Sequence, residues 1–144
     1  KYRAYFICIN IKVESLFYDG SVKNIQDWLN FIKQQGVFPI IVWDEKDMQL
    51  AHILWLKDAF DCSAWIHHCA IGKYKRGVWE AARDHWKKCD TLKLLLGLTP
   101  KTNAKAVKIL KGICKFTIVG EIPWVCNMFY AGERVPGILS YYEL

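Results

Sequence analysis

The chain has 144 residues, of which 53% are hydrophobic, 15% aromatic and 24% charged; this length suits one domain of ~100–200 residues, and so much apolar material excludes the disordered, collagen-like and low-complexity classes. Twenty Lys and Arg against 14 Asp and Glu give a net charge of +6, which favours an anionic partner without choosing among nucleic acid, a phosphate ligand and an acidic protein. No apolar run reaches the ~18–20 residues needed to cross a bilayer.

In chain order, Ala4–Val13 is rich in Ile, Phe and Tyr and predicts a strand. No small-residue cleavage site follows its apolar stretch, so it does not resemble a signal peptide. Tyr18-Asp19-Gly20-Ser21 signals a turn, with Ser21 able to cap a helix carrying Val22, Ile25, Trp28 or Leu29, and Ile32, and stopped by Gly36. Val37–Trp43 and Leu50–Phe60 predict strands joined by the charged turn 44–47, and a turn at 61–63 leads to a third strand, Ala64–Ile71. After the basic, glycine-bounded loop 72–77, Val78, Ala81, Ala82, His85, Trp86 and Cys89 recur at helical spacing. Leu92–Leu98 is an almost wholly apolar strand, as for one buried on both faces. Thr102 or Asn103 caps the next helix, with Ala106, Val107, Leu110 and Cys114 on one face. Phe116–Ile122 and Val125–Tyr130 predict strands around Pro123-Trp124, or one bent strand, and Ile138–Tyr142 closes the chain.

Alternating strands and helices flanked by hairpins argue a mixed α/β sandwich within a single domain, 1–144. The six cysteines (Cys8, Cys62, Cys69, Cys89, Cys114, Cys126) form no CxxC pair and mostly lie in apolar segments. Reduced thiols and a cytoplasmic setting are expected.

Chemistry concentrates where strand Ala64–Ile71 enters the loop Gly72-Lys73-Tyr74-Lys75-Arg76-Gly77 and helix Val78–Cys89. A strand, a basic glycine-bounded loop and a helix start aim free backbone N–H groups and the positive helix end at one point, an anion site reinforced by Lys73, Lys75 and Arg76. The loop matches neither GxxxxGK[ST] nor GxGxxG. His67 and His68 have the ordinary proton affinity of a general base, and strand alternation sends them to opposite faces, so at most one can point into a cleft. The same alternation leaves His67 and Cys69 together without a second ligand pair, so no metal site is expected. Lys101, Lys105, Lys108 and Lys111 recur along one helix face, as a solvated face does, and no nucleic-acid motif accompanies them.

From about Val37 to Tyr142 this order resembles the GCN5-related N-acetyltransferase (GNAT) family. Arg76-Gly77 before Val78-Trp79-Glu80-Ala81-Ala82 looks like its acyl-CoA phosphate loop and helix. Leu94–Leu98 followed by Thr99-Pro100-Lys101-Thr102-Asn103-Ala104-Lys105-Ala106 looks like its fifth strand and Asn-x-x-Ala helix start. Phe116–Pro123 looks like the strand leading to its final hairpin. The resemblance implies an α/β (α+β) fold with a mainly antiparallel central sheet flanked by helices. It also implies that the parallel strands Ala64–Ile71 and Leu92–Leu98 splay apart in the middle of that sheet. It implies acetyl-CoA as cofactor, its pyrophosphate held around Lys75, Arg76, Gly77, Val78 and Trp79. Its pantetheine arm would lie along main-chain groups of Cys69, Ala70 and Ile71, with Asn103 facing it.

The implied activity is acetyl transfer to an amine of a protein or small molecule. The alternative is a catalytically degenerate member serving as a structural or binding component. The family pattern Gln/Arg-x-x-Gly-x-Gly/Ala, aligned on Gly77, puts Tyr74 first and a bulky Trp79 last. The family's Tyr acid, seven residues after the Asn, falls at Leu110. His67, His68 and Tyr130 (or Tyr141 and Tyr142) are the candidate acid–base groups. One clear helix precedes Val37 where the family commonly has two, so a reduced acceptor side is expected. Small, departed members of this kind look similar to those encoded by tailed phages, which would add host cytoplasm or virion as a setting. A second copy of the chain or a phage assembly is a further candidate partner, with no membrane and with nucleic acid disfavoured.

Overall fold

A computed structural model describes residues 13–47, 49–71 and 74–144. Helices α1 (Val13–Leu16) and α2 (Ile25–Phe31) precede strands β1 (Phe38–Asp44), β2 (Gln49–Phe60) and β3 (Ser63–Ala70). Helix α3 (Val78–Trp86), β4 (Leu94–Pro100), helix α4 (Ala104–Gly112), β5 (Thr117–Met128), a 3-10 turn over Phe129–Ala131 and β6 (Glu133–Glu143) follow. The strands form one sheet in the order β1-β2-β3-β4-β6-β5. Every neighbouring pair is antiparallel except β3 and β4. This is the mixed, mainly antiparallel sheet expected, with its parallel pair in the middle.

The N-terminal third departs most from expectation. The strand expected over Ala4–Val13 lies outside the described residues except for Val13, which instead opens α1. Among the described residues two helical segments therefore precede β1. Ser21 does not cap α2, because the Asp19 carboxylate accepts both its backbone N–H (3.0 Å) and its hydroxyl (2.7 Å). Asn24 takes that role, its side-chain oxygen accepting from the N–H groups of Gln26 and Asp27.

Period-two alternation of the central strands builds two cores, one on each sheet face. Ile53 and Trp55 of β2 and Cys69 of β3 pack with Phe17, Val22 and Trp28 from the α1–α2 side. Leu54 and Leu56 of β2 and Ala64 and Ile66 of β3 pack with Val78, Trp79, Ala82 and Trp86 of α3 and with Phe116. The two strands expected around Pro123-Trp124 are one strand, β5, which absorbs the interruption by register shifts between Ile118 and Gly120 and between Ile122 and Cys126. A methyl on Gly137 would sit 2.6 Å from Val125 Cγ1 and 2.8 Å from Leu98 Cδ1, so only glycine fits.

Candidate functional site

The parallel ladder between β3 and β4 is short. Ser63, Ala64 and Trp65 pair with Leu94, Leu95 and Leu96, and beyond them the strands part. A cavity of about 410 Å³ opens in the gap, lined among others by Ile66, His68 and Ala70 from β3 and by Gly97, Leu98 and Thr99 from β4. Asn103, Lys105 and Leu110 line it from the α4 segment, and Tyr74 and Trp79 line it beside the start of α3.

The register of β3 on β2 decides which main-chain groups face this gap. Ile71 N–H donates to Ala51 C=O at 2.8 Å, and Cys69 pairs with Ile53 in the same register. Antiparallel strands alternate hydrogen-bonded pairs, so residues 67, 69 and 71 turn their N–H and C=O toward β2, and Ile66, His68 and Ala70 turn theirs to the open side. Of the three main-chain positions expected along the cleft, Ala70 alone is turned that way.

The tip of α3 adjoins the same gap. Gly77 is the N-cap at φ +82°, in the left-handed region, with nothing within 4 Å of an added Cβ. It makes no side-chain cap, and a helix start leaves its first N–H groups without intrahelical partners. Arg76 and Gly77 are exposed. Gly72 and Lys73 of the expected loop lie outside the described residues. The Lys75 ammonium is held by Asp44 and lies 3.8 Å from Asp47, at the β1–β2 turn. The hydrogen bond that this ammonium donates holds the Asp44 carboxyl below the ordinary carboxylate range. Val78 and Trp79 turn inward to the core. Trp79 is 2% exposed, with the rings of Tyr142 at 5.2 Å, Phe116 at 5.3 Å and Trp86 at 6.4 Å. The indole therefore forms a wall at the inner end of the cleft and leaves the outer face of the helix tip open. Asn103 lines the cavity while its side-chain oxygen accepts from Ala106 N–H at 3.1 Å, capping α4.

Both neighbouring histidines reach the cavity, contrary to the expectation that at most one would. They do lie on opposite sheet faces, but the cavity passes through the sheet where β3 and β4 separate. His67 stacks on Trp55 at 4.9 Å with the rings 5° from parallel. His67, with Tyr18, Trp55 and Leu98, also lines a second cavity of about 630 Å³. That cavity holds Asp19, Asp27 and Asp58 against Lys57, so its charge balance is negative. Tyr130, by contrast, is 40% exposed on the 3-10 turn, packs on Phe129, and is not among the cavity-lining residues. Leu110 does line the cavity, so the position expected for an acid reaches the cleft and is apolar.

A residue absent from the sequence reading organises the α3 side. His52 is fully buried in β2; its Nε2 accepts the Lys75 backbone N–H at 3.0 Å, and its Nδ1 lies 2.9 Å from His68 Nε2. Tyr74 packs edge-on against both imidazoles. The signal was present in the sequence, as one imidazole in the otherwise apolar run Leu50–Leu56, but its partners are distant along the chain. Burial, then the neighbouring His52, pushes the His68 imidazole down to about 4, and burial followed by the Lys75 charge lowers His52. Burial pushes the Cys69 thiol up to about 12, leaving it protonated and a poor nucleophile. No disulfide joins the five described cysteines.

These histidine shifts set a pH dependence. The unfolded chain takes up protons on both imidazoles as pH falls below the ordinary 6.5, and the folded His68 resists until about 4. Their contribution is therefore fully present above pH 6.5 and is lost across that window. Urea midpoints are expected to fall steadily between those two pH values. The same series on His68→Gln should be flatter, and an equally steep one would contradict the assignment. Asp44, lowered from 3.8, adds its own loss only at lower pH.

No model of a protein family matches the sequence, and no curated protein is similar to it in sequence. Among solved structures it is similar to the ribosomal-protein-S5-alanine acetyltransferase from Vibrio fischeri, at 14% identity and TM-score 0.74 over 99% of this chain and 85% of that one. It is similar to the spermidine N-acetyltransferase from Vibrio cholerae in complex with CoA and spermine, at 14% identity and TM-score 0.72 over 96% and 86% of the two chains. Arabidopsis thaliana NAA60, solved with acetyl-CoA, matches at 12% identity and TM-score 0.69 over 97% and 93%. No helix among the described residues is long and apolar enough to cross a membrane. At these identities the likeness is one of fold: the sheet that parts between β3 and β4, with its helices, is the fold of the GNAT acetyltransferases.

Proposed function

We propose that the chain is an acyl-CoA-dependent N-acetyltransferase that moves an acetyl group directly from acetyl-CoA to an amine. The single observation that carries this reading is the end of the β3–β4 ladder after three pairs, beside a helix tip with open space at Gly77. The main-chain N–H groups around Arg76, Gly77, Val78 and Trp79 suit a pyrophosphate, and Lys105 at the cavity wall adds positive charge. The open edge of β3 at His68 and Ala70 offers peptide groups for an amide-bearing arm to pair with, as an added strand would. Acetyl-CoA supplies an acyl group already activated as a thioester.

The acceptor fits the opposite side. An amine is protonated at neutral pH and must lose a proton before its nitrogen can attack. The cavity holding Asp19, Asp27 and Asp58 suits a cationic group. His67 lines both cavities, which supports it as the group that takes the proton as the amine passes toward the cleft. With Leu110 apolar and Tyr130 not among the lining residues, His67 is the candidate base in this reading. Described cysteines that form no disulfide suit a reducing compartment, and the cytoplasm is the setting this reading implies.

Calorimetry with acetyl-CoA tests the proposal. Saturable binding is expected with a Kd inside the ~1 μM–1 mM span usual for enzyme substrates, and no heat at millimolar ligand would retire it. Binding without acetyl transfer to any amine would leave a binding protein of the same fold.

A further inference from the structure

The hydrogen-bond chain that ends at His68 has a fixed polarity, and its origin is a peptide group. A backbone amide can only donate, so the Lys75 N–H at 3.0 Å requires a bare Nε2 on His52. A neutral imidazole with a bare Nε2 carries its proton on Nδ1. That proton is the one available for the 2.9 Å contact with His68, so His52 Nδ1 donates and His68 Nε2 accepts. The remaining proton of neutral His68 is then on Nδ1. Among the described residues Nδ1 of His68 makes no hydrogen bond, its ring lines the cavity, and it is not among the buried atoms left without a partner.

We infer that His52 is a positioning residue that fixes His68 as its Nδ1–H tautomer, so that His68 presents a neutral hydrogen-bond donor to the cleft rather than a base. The consequence for chemistry is specific. His68 Nε2 can take a proton only if the His52 proton moves to Nε2, and that breaks the bond from Lys75. Burial disfavours the resulting charge as well. A neutral imidazole held as a donor can polarise a carbonyl oxygen, stabilising negative charge that develops there, without itself changing protonation state. In the acetyl-transfer reading, on which this role rests, that oxygen is the acyl carbonyl's, and the base is left to His67. The chain also ties the segment before α3 to the open edge of β3, because one imidazole holds both Lys75 N–H and His68.

The tautomer is measurable without any ligand. The chain has four histidines, so two-bond nitrogen–proton spectra of the ¹⁵N-labelled chain can be assigned by single substitutions. At pH ~7.5, above the ordinary histidine range, wild-type His68 is expected to show a protonated Nδ1 and a bare Nε2. In His52→Leu the His68 signals should move toward the tautomer mixture of an unconstrained imidazole. His52→Asn keeps a short donor in place of Nδ1 and should restore the wild-type pattern in part. If His52→Leu does not fold, the wild-type spectrum and the Asn variant still decide. A protonated Nε2 on wild-type His68, or a pattern unchanged by both substitutions, overturns the inference. A matching kinetic readout is a kcat drop of about tenfold or more in His68→Leu, partly recovered by the donor amide of His68→Gln, with the pH profile unmoved. If acetyl-CoA fails to bind while the tautomer result holds, the acetyl-transfer reading falls and the histidine relay stands.

Discussion

Replacing Trp79 with alanine is expected to lower folding stability by about 3–5 kcal/mol, the range for truncating a buried Trp or Phe. Its indole is 2% exposed and is covered by Trp86, Phe116 and Tyr142, so truncation removes the centre of the α3-side core. The vacated space would join a cavity of about 410 Å³ that Trp79 already lines, which leaves the surrounding side chains little reason to collapse inward. Trp79→Phe should cost clearly less, since an aromatic ring is retained among the same neighbours. Urea unfolding followed by circular dichroism checks both. The opposite pattern, unchanged stability with tighter acetyl-CoA binding, would mean that the indole obstructs the cleft.

Burial of the Trp79 indole also bears on the departure that the sequence spacing showed. Aligned on Gly77, Trp79 stands where a small residue lets phosphates approach. At the second position of α3, however, it is the side chain that turns to the core and the backbone that remains at the tip. Periodicity made α3 legible through Val78, Ala82 and Trp86, and the same periodicity carried the expected end to Cys89. The helix stops earlier, with Lys87 donating to the carbonyls of Arg83 and His85 as its C-cap. Competition among polar residues was less legible. Ser21 and Asn24 are both good caps, and the outcome turns on Asp19 binding Ser21 first, which no hydrophobic pattern encodes. Pro123-Trp124 signalled a break, whereas paired strands can absorb such a break as a bulge, here with Trp124 at φ +55°. His67 and His68 were legible as neighbouring imidazoles because they occupy consecutive positions of one strand. His52 was not, because its role exists only through His68 and Lys75, 16 and 23 residues away.

The phosphate end of the cleft can be separated from the fold by a substitution that the backbone tolerates. Asp visits the left-handed region more readily than most residues, an added Cβ at Gly77 meets nothing within 4 Å, and a carboxylate at a helix N-terminus opposes the positive end of the helix favourably. Gly77→Asp is therefore expected to unfold within about 1 kcal/mol of the parent, because the αL cost and the helix-end gain offset each other. At the same point it would set a negative charge against an incoming pyrophosphate. Acetyl-CoA affinity is expected to fall about 100-fold or more, close to 2.7 kcal/mol. The thermal stabilisation that saturating ligand gives the parent protein should vanish with it. Gly77→Asn, isosteric and uncharged, should fall between the two. If Gly77→Asp binds as the parent does, the anion is not held at the tip of α3. The open edge of β3 would then have to anchor acetyl-CoA without it, which the +6 charge of the chain gives no reason to prefer.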